Sequence, residues 1–248
     1  MTVLVVIPTY NEREALPRTL ARLLAAQPEV HVLVVDDGSP DGTGAWVAEQ
    51  ARADERLHLL ERTEKAGLGP AYLAGFAWAL ERDFEVVCEM DADASHRPEQ
   101  LSRLLDAVER GADLAIGSRW IPGGAVHRWP KRRTLLSRGA NMYARIALGI
   151  AVHDATAGYR AFRADALRSL MRHGDIASQG YCFQVDMTRR AAEAGLRIRE
   201  VPIDFDEREQ GYSKMSGGIV TEAMVKISMW GFQRRIAQLT ALGRKGRS

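Results

Sequence analysis

Val3-Leu4-Val5-Val6-Ile7, followed by Pro8-Thr9-Tyr10-Asn11-Glu12, is the stretch from which the fold is read. Five apolar residues in a row, with no polar alternation, describe a strand buried on both faces, and such strands belong to parallel sheets. Asn11 is placed to cap a helix over about 12–26, with Glu12 and Glu14 in the first turn and Leu16, Leu20, Leu23 and Leu24 on one face. A second buried run, Val30–Val35, ends at Asp36-Asp37-Gly38-Ser39. The alternation continues with a helix from Thr43 to about Ala53, a strand over Leu57–Glu61 and a helix over Gly69–Arg82. It closes with a strand over Phe84–Met90, a helix over Pro98–Arg110 and a strand over Leu114–Gly117. Strands and helices at this spacing make βαβ units and a Rossmann-like, mainly parallel sheet flanked by helices, an α/β fold. Ligands of such sheets bind beyond the carboxyl ends of the strands. The polar clusters Pro8–Glu12, Asp36–Asp41 and Asp91–Asp93 fall at those ends.

Beyond Ser118 the pattern loosens. Ile121–Arg133, with two Gly and two Pro, reads as a long loop. Thr134–Leu148 reads as a helix with Leu135, Leu136, Met142, Ile146 and Leu148 available for packing. Asp154–Phe162 returns toward the core, Asp165–His173 and Tyr181–Ala194 are helices, and Arg197–Ile203 alternates like an edge strand. Gly217 to about Leu242 forms a terminal amphipathic helix before Gly243-Arg244-Lys245-Gly246-Arg247-Ser248. No internal repeat or low-complexity linker interrupts the chain.

The 248 residues are 46% apolar and 27% charged, which suits a globular core and excludes general disorder. The formal charge of +2 conceals two opposite halves. Residues 1–113 hold 11 basic and 21 acidic side chains, a balance of −10; residues 114–248 hold 23 and 11, a balance of +12. Residues 114–153 carry seven Arg/Lys and no acid, which favours an anionic ligand over an ordinary mixed surface. The acidic first half would repel a nucleic acid, so no nucleic-acid partner is expected. Cys88 and Cys182 are the only cysteines, both in apolar settings, and read as buried small hydrophobes of a reducing cytosol. The longest uncharged run, Ala66–Leu80, is too short and too rich in Gly for a membrane span, and no signal peptide is read at the N-terminus.

Five constellations carry chemistry. Met90-Asp91-Ala92-Asp93 sets two carboxylates after a buried strand, hard oxygen donors suited to Mg2+ or Mn2+, although helix caps also use Asp. In Asp36–Thr43, Asp36 or Asp37 is suited to a nucleoside, whereas Ser39, Asp41 and Thr43 equally suit a turn and helix cap. Lys65-Ala66-Gly67-Leu68-Gly69 allows close backbone approach to an anion at a helix N-terminus, but it is neither a P-loop nor a dinucleotide fingerprint, which counts against a nicotinamide enzyme. The basic span, with Arg119, Arg128, Lys131, Arg132, Arg133, Arg138 and Arg145, reads as phosphate-binding; Arg208 and Lys214 add donors of the same kind.

At these residues the chain resembles glycosyltransferase family 2, and most closely its polyprenyl-phosphate mannose synthase branch. The early anchors are Pro8–Glu12, Val35–Thr43, Gly67-Leu68-Gly69 and Met90–Pro98. The later ones are Gly117-Ser118-Arg119-Trp120, Ser137–Asn141, Asp154–Arg160, Phe183-Gln184 and Gly211–Lys214. The resemblance implies a GT-A fold with a catalytic domain over 1–214 (1–117 for nucleotide sugar and metal, 118–214 for acceptor) and a C-terminal helix with basic tail over 215–248. It implies that Pro8, Tyr10, Glu12, Asp37, Asp91 and Ala92 line the nucleotide sugar, and that Asp91 and Asp93 hold Mg2+ or Mn2+. Ser95 stands where some relatives place a Gln ligand, and Asp-Ala-Thr-Ala-Gly-Tyr-Arg replaces the usual Asp-Pro-Thr-Ser-Gly-Phe-Arg. Arg119, Arg133, Ser137, Arg208, Ser213 and Lys214 would engage an acceptor phosphate, with Asp93, Arg119 and Arg133 closest to the chemistry. The implied reaction is inverting transfer of mannose from GDP-mannose to a polyprenyl monophosphate. The alternatives are transfer of glucose from UDP-glucose, or a saccharide acceptor with Asp186 as base. The implied partners are the two substrates and a membrane surface, with room for a separate membrane-anchoring protein. The implied place is the cytoplasm, peripheral to the cytoplasmic face of the membrane.

Overall fold

The computed structural model describes residues 1–172, 181–207 and 217–245. The first half runs β1 (Val3–Thr9), α1 (Leu16–Ala26), β2 (His31–Asp36), α2 (Thr43–Ala51), β3 (Leu57–Glu61), α3 (Leu68–Leu80), β4 (Val86–Glu89), α4 (Leu101–Glu109) and β5 (Leu114–Ser118). The second half runs β6 (Ala125–His127), α5 (Lys131–Leu148), β7 (Arg160–Arg163), α6 (Ala164–Arg172), α7 (Tyr181–Glu193), β8 (Ile198–Pro202), β9 (Asp204–Asp206) and α8 (Gly217–Lys245). One sheet takes strands from both halves in the order β3-β2-β1-β4-β7-β5-β8. All its pairings are parallel except those of β7, which lies antiparallel between β4 and β5. β6 and β9 form a small parallel pair beside it.

The unbroken apolar run of β1 is explained by two cores. Val3, Val5 and Ile7 pack with Leu16, Leu20, Val47 and Leu104 on one face; Leu4 and Val6 pack with Tyr72, Phe76 and Phe183 on the other. Each such side chain removed from water contributes about 1.5–3 kcal/mol, so a strand apolar on both sides holds two helical layers to one sheet. Contact is closest at Gly75 of α3, where a Cβ would lie 2.5 Å from Val6 Cγ1. Cys88 and Cys182 are both buried free thiols, and burial pushes the Cys88 thiol far above its usual range.

Three expectations need correction. α1 begins at Leu16 rather than Glu12, because Asn11 takes a left-handed φ of 59° and its N–H turns to Ser39 Oγ at 3.0 Å instead of capping a helix. The 121–133 segment is not all loop, since β6 pairs with β9 and α5 already begins at Lys131. Of the five α5 residues expected to pack, only Leu148 is buried, whereas Leu135 is 74% and Ile146 67% exposed, with Leu136 and Met142 also open. α5 turns Asn141, Ala144 and Leu148 inward. α8 lies against it so tightly that a Cβ on Gly231 would sit 2.6 Å from the Ala147 carbonyl oxygen. α8 buries Ile227 and leaves Val225, Met229, Phe232 and Ile236 exposed. Among the described residues, no helix is long and apolar enough to cross a membrane.

Candidate active site

The carboxyl ends of β1, β2 and β4 lie side by side, so the acids that follow them share one edge. The two acids after β2 are used differently. Asp36 is buried and accepts Thr9 Oγ1 at 2.8 Å and the Ser39 N–H at 2.9 Å, which makes it part of the turn. Asp37 accepts Arg62 Nη1 at 2.8 Å and lies 3.4 Å from the Gly67 N–H, which joins it to the glycine segment. Asp41 binds Thr43 Oγ1 and N–H and the Arg13 N–H, and these bonds pull its carboxyl below the usual range. Ser39, Asp41 and Thr43 therefore shape the loop, and Asp37 is the acid placed beside Gly67. Pro8 and Tyr10 are half-buried at the end of β1, with Lys65 Nζ 4.0 Å above the Tyr10 ring, and the Glu12 N–H is held by Thr43 Oγ1.

The turn after β4 is built around two carboxylates. Ala94 adopts a φ of 60°, Thr19 Oγ1 of α1 donates to the Ala92 carbonyl at 2.8 Å, and Ala92 is buried beneath the turn. Asp93 is 7% exposed and accepts both the N–H and the hydroxyl of Ser95 at Oδ1, at 3.0 and 2.6 Å. Ser95 thus orients Asp93. Asp91 is 29% exposed at the open side of the turn. Its N–H donates to His96 Nδ1 at 3.1 Å, and both its carboxylate oxygens lie within 3.8 Å of where a Gly158 Cβ would be. Two oriented carboxylates, one partly open, fit a divalent cation that takes its remaining ligands from substrate phosphates and water, as Mg2+ does. No group of three or more His, Cys, Asp or Glu is placed to hold a metal ion among the described residues.

Beyond the carboxylate turn, Arg119 follows β5 and is 6% exposed. Its Nε and Nη2 bind Asp154, itself 0% exposed, at 2.8 and 2.7 Å, and Nη2 also reaches Thr156 Oγ1 at 3.0 Å. Such bidentate geometry is the stronger class of ion pair. Arg133 stands in the first turn of α5, with its guanidinium 3.9 Å over the Trp129 ring and Nη1 3.1 Å from Glu207. Ser137 follows one turn later on the same helix, so the two share a face. Trp120, Trp129 and Phe205 meet edge to face behind these cations, and Arg138 stacks over Trp120. The 154–158 loop joins the two sides, because Asp154 binds Arg119 while Gly158 abuts Asp91. Asn141 of α5 fixes the middle of the loop through both the Thr156 hydroxyl and N–H. Arg208, Ser213 and Lys214 lie outside the described residues.

Asp154, Thr156, His96 and the aromatic trio were not read as site residues from the sequence. Arg119 and Asp154 are 35 positions apart, so no local periodicity marks the pair. A buried pair also lies beneath the site, with Arg160 Nε 3.8 Å from Glu89 Oε2. Burial raises the Glu89 carboxyl to about 7, against the opposing pull of Arg160. Arg160 binds the carbonyls of Ala155, Ala157 and Gln184 and so ties the joining loop to α7.

Comparison with known proteins agrees with this architecture. The chain is 58% identical over 234 residues, 94% of its length and 88% of the relative's, to a polyprenol monophosphomannose synthase of Mycolicibacterium smegmatis. It is 58% identical over 241 residues, 97% of its length and 98% of the relative's, to an undecaprenyl-phosphate mannosyltransferase of Micrococcus luteus. Its fold is that of GT-A enzymes. A glucosyl-3-phosphoglycerate synthase of Mycobacterium tuberculosis superposes with a TM-score of 0.65 at 18% identity, covering 94% of this chain and 79% of the other. A mannosyltransferase of Pyrobaculum calidifontis, solved with GDP-Man and Mn2+, does so with a TM-score of 0.55 at 19% identity, covering 98% and 75%. The glycosyl transferase family 2 model matches residues 4–171, and the chain belongs to that family.

Proposed function

We propose that this glycosyltransferase moves mannose from GDP-mannose to a polyprenyl monophosphate, with inversion at the anomeric carbon. The observation that carries the reading is the 154–158 loop, which touches the Asp91 turn at one end and Arg119 at the other. It brings a pair of carboxylates and a basic, aromatic surface into one site. The relatives at 58% identity, named for mannose transfer to polyprenyl phosphates, support the same substrates.

A phosphate monoester is dianionic at neutral pH, its second pKa being about 6, so it attacks without a strong general base. One of its oxygens forms the bond to the anomeric carbon as the bond to the GDP oxygen breaks, and the departing diphosphate keeps the electron pair. The protein's part is placement and charge stabilisation. Asp37, with Pro8, Tyr10 and Glu12, lines the nucleoside, and Ala92 backs the diphosphate. Asp91 and Asp93 hold Mg2+ or Mn2+, which neutralises charge on the diphosphate when bound. Arg133 and Ser137, joined by Arg208, Ser213 and Lys214, receive the acceptor phosphate; Arg119, paired with Asp154, frames that pocket. A neutral saccharide acceptor would require a base, and the candidate, Asp186, is engaged by Arg189 and Arg190. In the purified enzyme Asp93→Ala abolishes turnover; full activity of this variant would overturn the cation assignment.

The exposed apolar residues of α5 and α8 form the surface for the lipid part of the acceptor. Leu135, Leu136, Met142 and Ile146 of α5 are exposed, as are Val225, Met229, Phe232 and Ile236 of α8, and the two helices pack on each other. Exposed Lys131, Arg132, Arg138 and Arg145 border them on a helix with no acid. An apolar stripe with a basic rim fits an anionic leaflet, and we assign the protein to the cytoplasmic face of the membrane as a peripheral enzyme. Leu135→Ser with Ile146→Ser weakens flotation with anionic vesicles; unchanged flotation would refute this surface, and a change confined to sedimentation mass would assign it to a second copy of the chain.

A further inference from the structure

His96 is 98% removed from solvent, yet it belongs to neither set of phosphate-binding or cation-binding residues. Its Nδ1 accepts the Asp91 N–H at 3.1 Å, which places the ring hydrogen on Nε2. The same ring stacks on Tyr159 with centroids 4.9 Å apart, and makes a T-shaped contact with Phe205 at 5.2 Å. The backbone joins the same partners, because His96 bridges to Phe205 and the Asp206 N–H donates to the Ser95 carbonyl at 3.0 Å. Phe205 in turn packs edge to face on Trp129 at 5.5 Å, and Trp129 carries the Arg133 guanidinium at 3.9 Å. A continuous line of contacts therefore runs from Asp91 through His96, Phe205 and Trp129 to Arg133.

We infer that His96 is a positioning residue with two separable duties: its Nδ1 fixes the Asp91 end of the carboxylate turn, and its ring fixes Phe205 and the acceptor side. The inference rests on the reading above, in which Asp91 and Asp93 hold a divalent cation and Arg133 receives the acceptor phosphate. A backbone N–H left without an acceptor inside a protein is costly, so loss of Nδ1 lets the turn relax. Groups that orient ligands from behind typically change metal affinity about 10- to 100-fold. Loss of an aromatic pair is a smaller effect, about 2- to 12-fold.

Two substitutions separate the duties. His96→Asn keeps an acceptor oxygen at the position of Nδ1 and removes the ring; His96→Phe keeps the ring and removes the acceptor. Mn2+ binding in the presence of GDP is read by electron paramagnetic resonance of the free ion, and the KM for a short polyprenyl phosphate is read at saturating Mn2+ and donor. The expected result is that His96→Phe raises the Mn2+ Kd about tenfold or more with the acceptor KM within about twofold. His96→Asn leaves the Mn2+ Kd within about threefold and raises the acceptor KM about 3- to 10-fold. Parallel loss of both properties in both variants, tracking their melting temperatures, would show that His96 is only a packing residue and overturn the inference. Parent-like values in both variants would overturn it equally. Asp93→Ala is the control: if it binds Mn2+ as the parent does, the cation reading fails, whereas its loss beside unaffected His96 variants refutes the His96 inference alone.

Discussion

Replacing Asp154 with alanine removes the carboxylate that meets the Arg119 guanidinium in the interior. The carboxylate is fully buried and Arg119 is 6% exposed, and three bonds join them: Nε and Nη2 at 2.8 and 2.7 Å, and the Arg119 N–H at 2.9 Å. Removing one member of a buried ion pair costs about 3–5 kcal/mol, most of it the desolvation of the partner left behind. For a domain of this size each kcal/mol lowers Tm by about 2–4 °C, so Asp154→Ala is expected to lower Tm by about 6–20 °C. Differential scanning fluorimetry or urea unfolding reads the change. The companion double variant, Arg119→Met with Asp154→Leu, removes both charges and should be more stable than the two single effects added together, by about 2 kcal/mol or more. A drop below about 2 °C in Asp154→Ala, or strict additivity in the cycle, would refute the view that this pair is a buried and mutually dependent unit.

Gly75→Ala drives a Cβ to 2.5 Å from Val6 Cγ1, and should cost about 1–3 kcal/mol in urea unfolding through overpacking of α3 on β1. Acid should loosen the β6–β9 pair early. Bonds from His127 and Gln100 hold the Asp204 carboxyl below its usual range, and Arg97 does the same for Asp206. A depressed carboxylate contributes stability that is present above its unfolded value of about 3.9 and lost as pH falls through the folded value. Tryptophan fluorescence, sensitive to Trp129 on Phe205, should therefore change below about pH 4, and less so in Asp206→Asn. Arg133→Ala should lower kcat/KM for the acceptor about 10- to 150-fold, as expected for loss of a charge-assisted bond, while the donor KM stays within about twofold in initial-rate assays.

The sheet was legible because buried parallel strands advertise themselves as short apolar runs. Leu57–Glu61 matches in both bounds, and Val30–Val35 differs from His31–Asp36 by one residue at each end. The acids at strand ends were legible for the same reason, since topology places them on one edge. What was hidden depends on long-range contact. β6 has three residues and exists because β9, over seventy positions later, pairs with it. β7 is inserted antiparallel, which no local period encodes. The α5 leucines were misplaced because periodicity shows that a helix has an apolar face, not what covers it. The joining loop and Asp154 were present only as anchors of the family resemblance, and Arg119 only as one cation of the basic span; their pairing appears once the fold brings positions 119 and 154 together.

In the proposed function, the two charged halves of the chain serve a sugar nucleotide and an anionic lipid acceptor in one site. The most direct measurement presents the purified enzyme with GDP-mannose or UDP-glucose, each with a short polyprenyl phosphate or a neutral saccharide, in Mg2+ or Mn2+. The expected product is a polyprenyl-phosphate mannose from GDP-mannose and polyprenyl phosphate, of inverted anomeric configuration, with no comparable product from the other three combinations. Efficient turnover of UDP-glucose would contradict the donor, and efficient transfer to the neutral saccharide would contradict the acceptor.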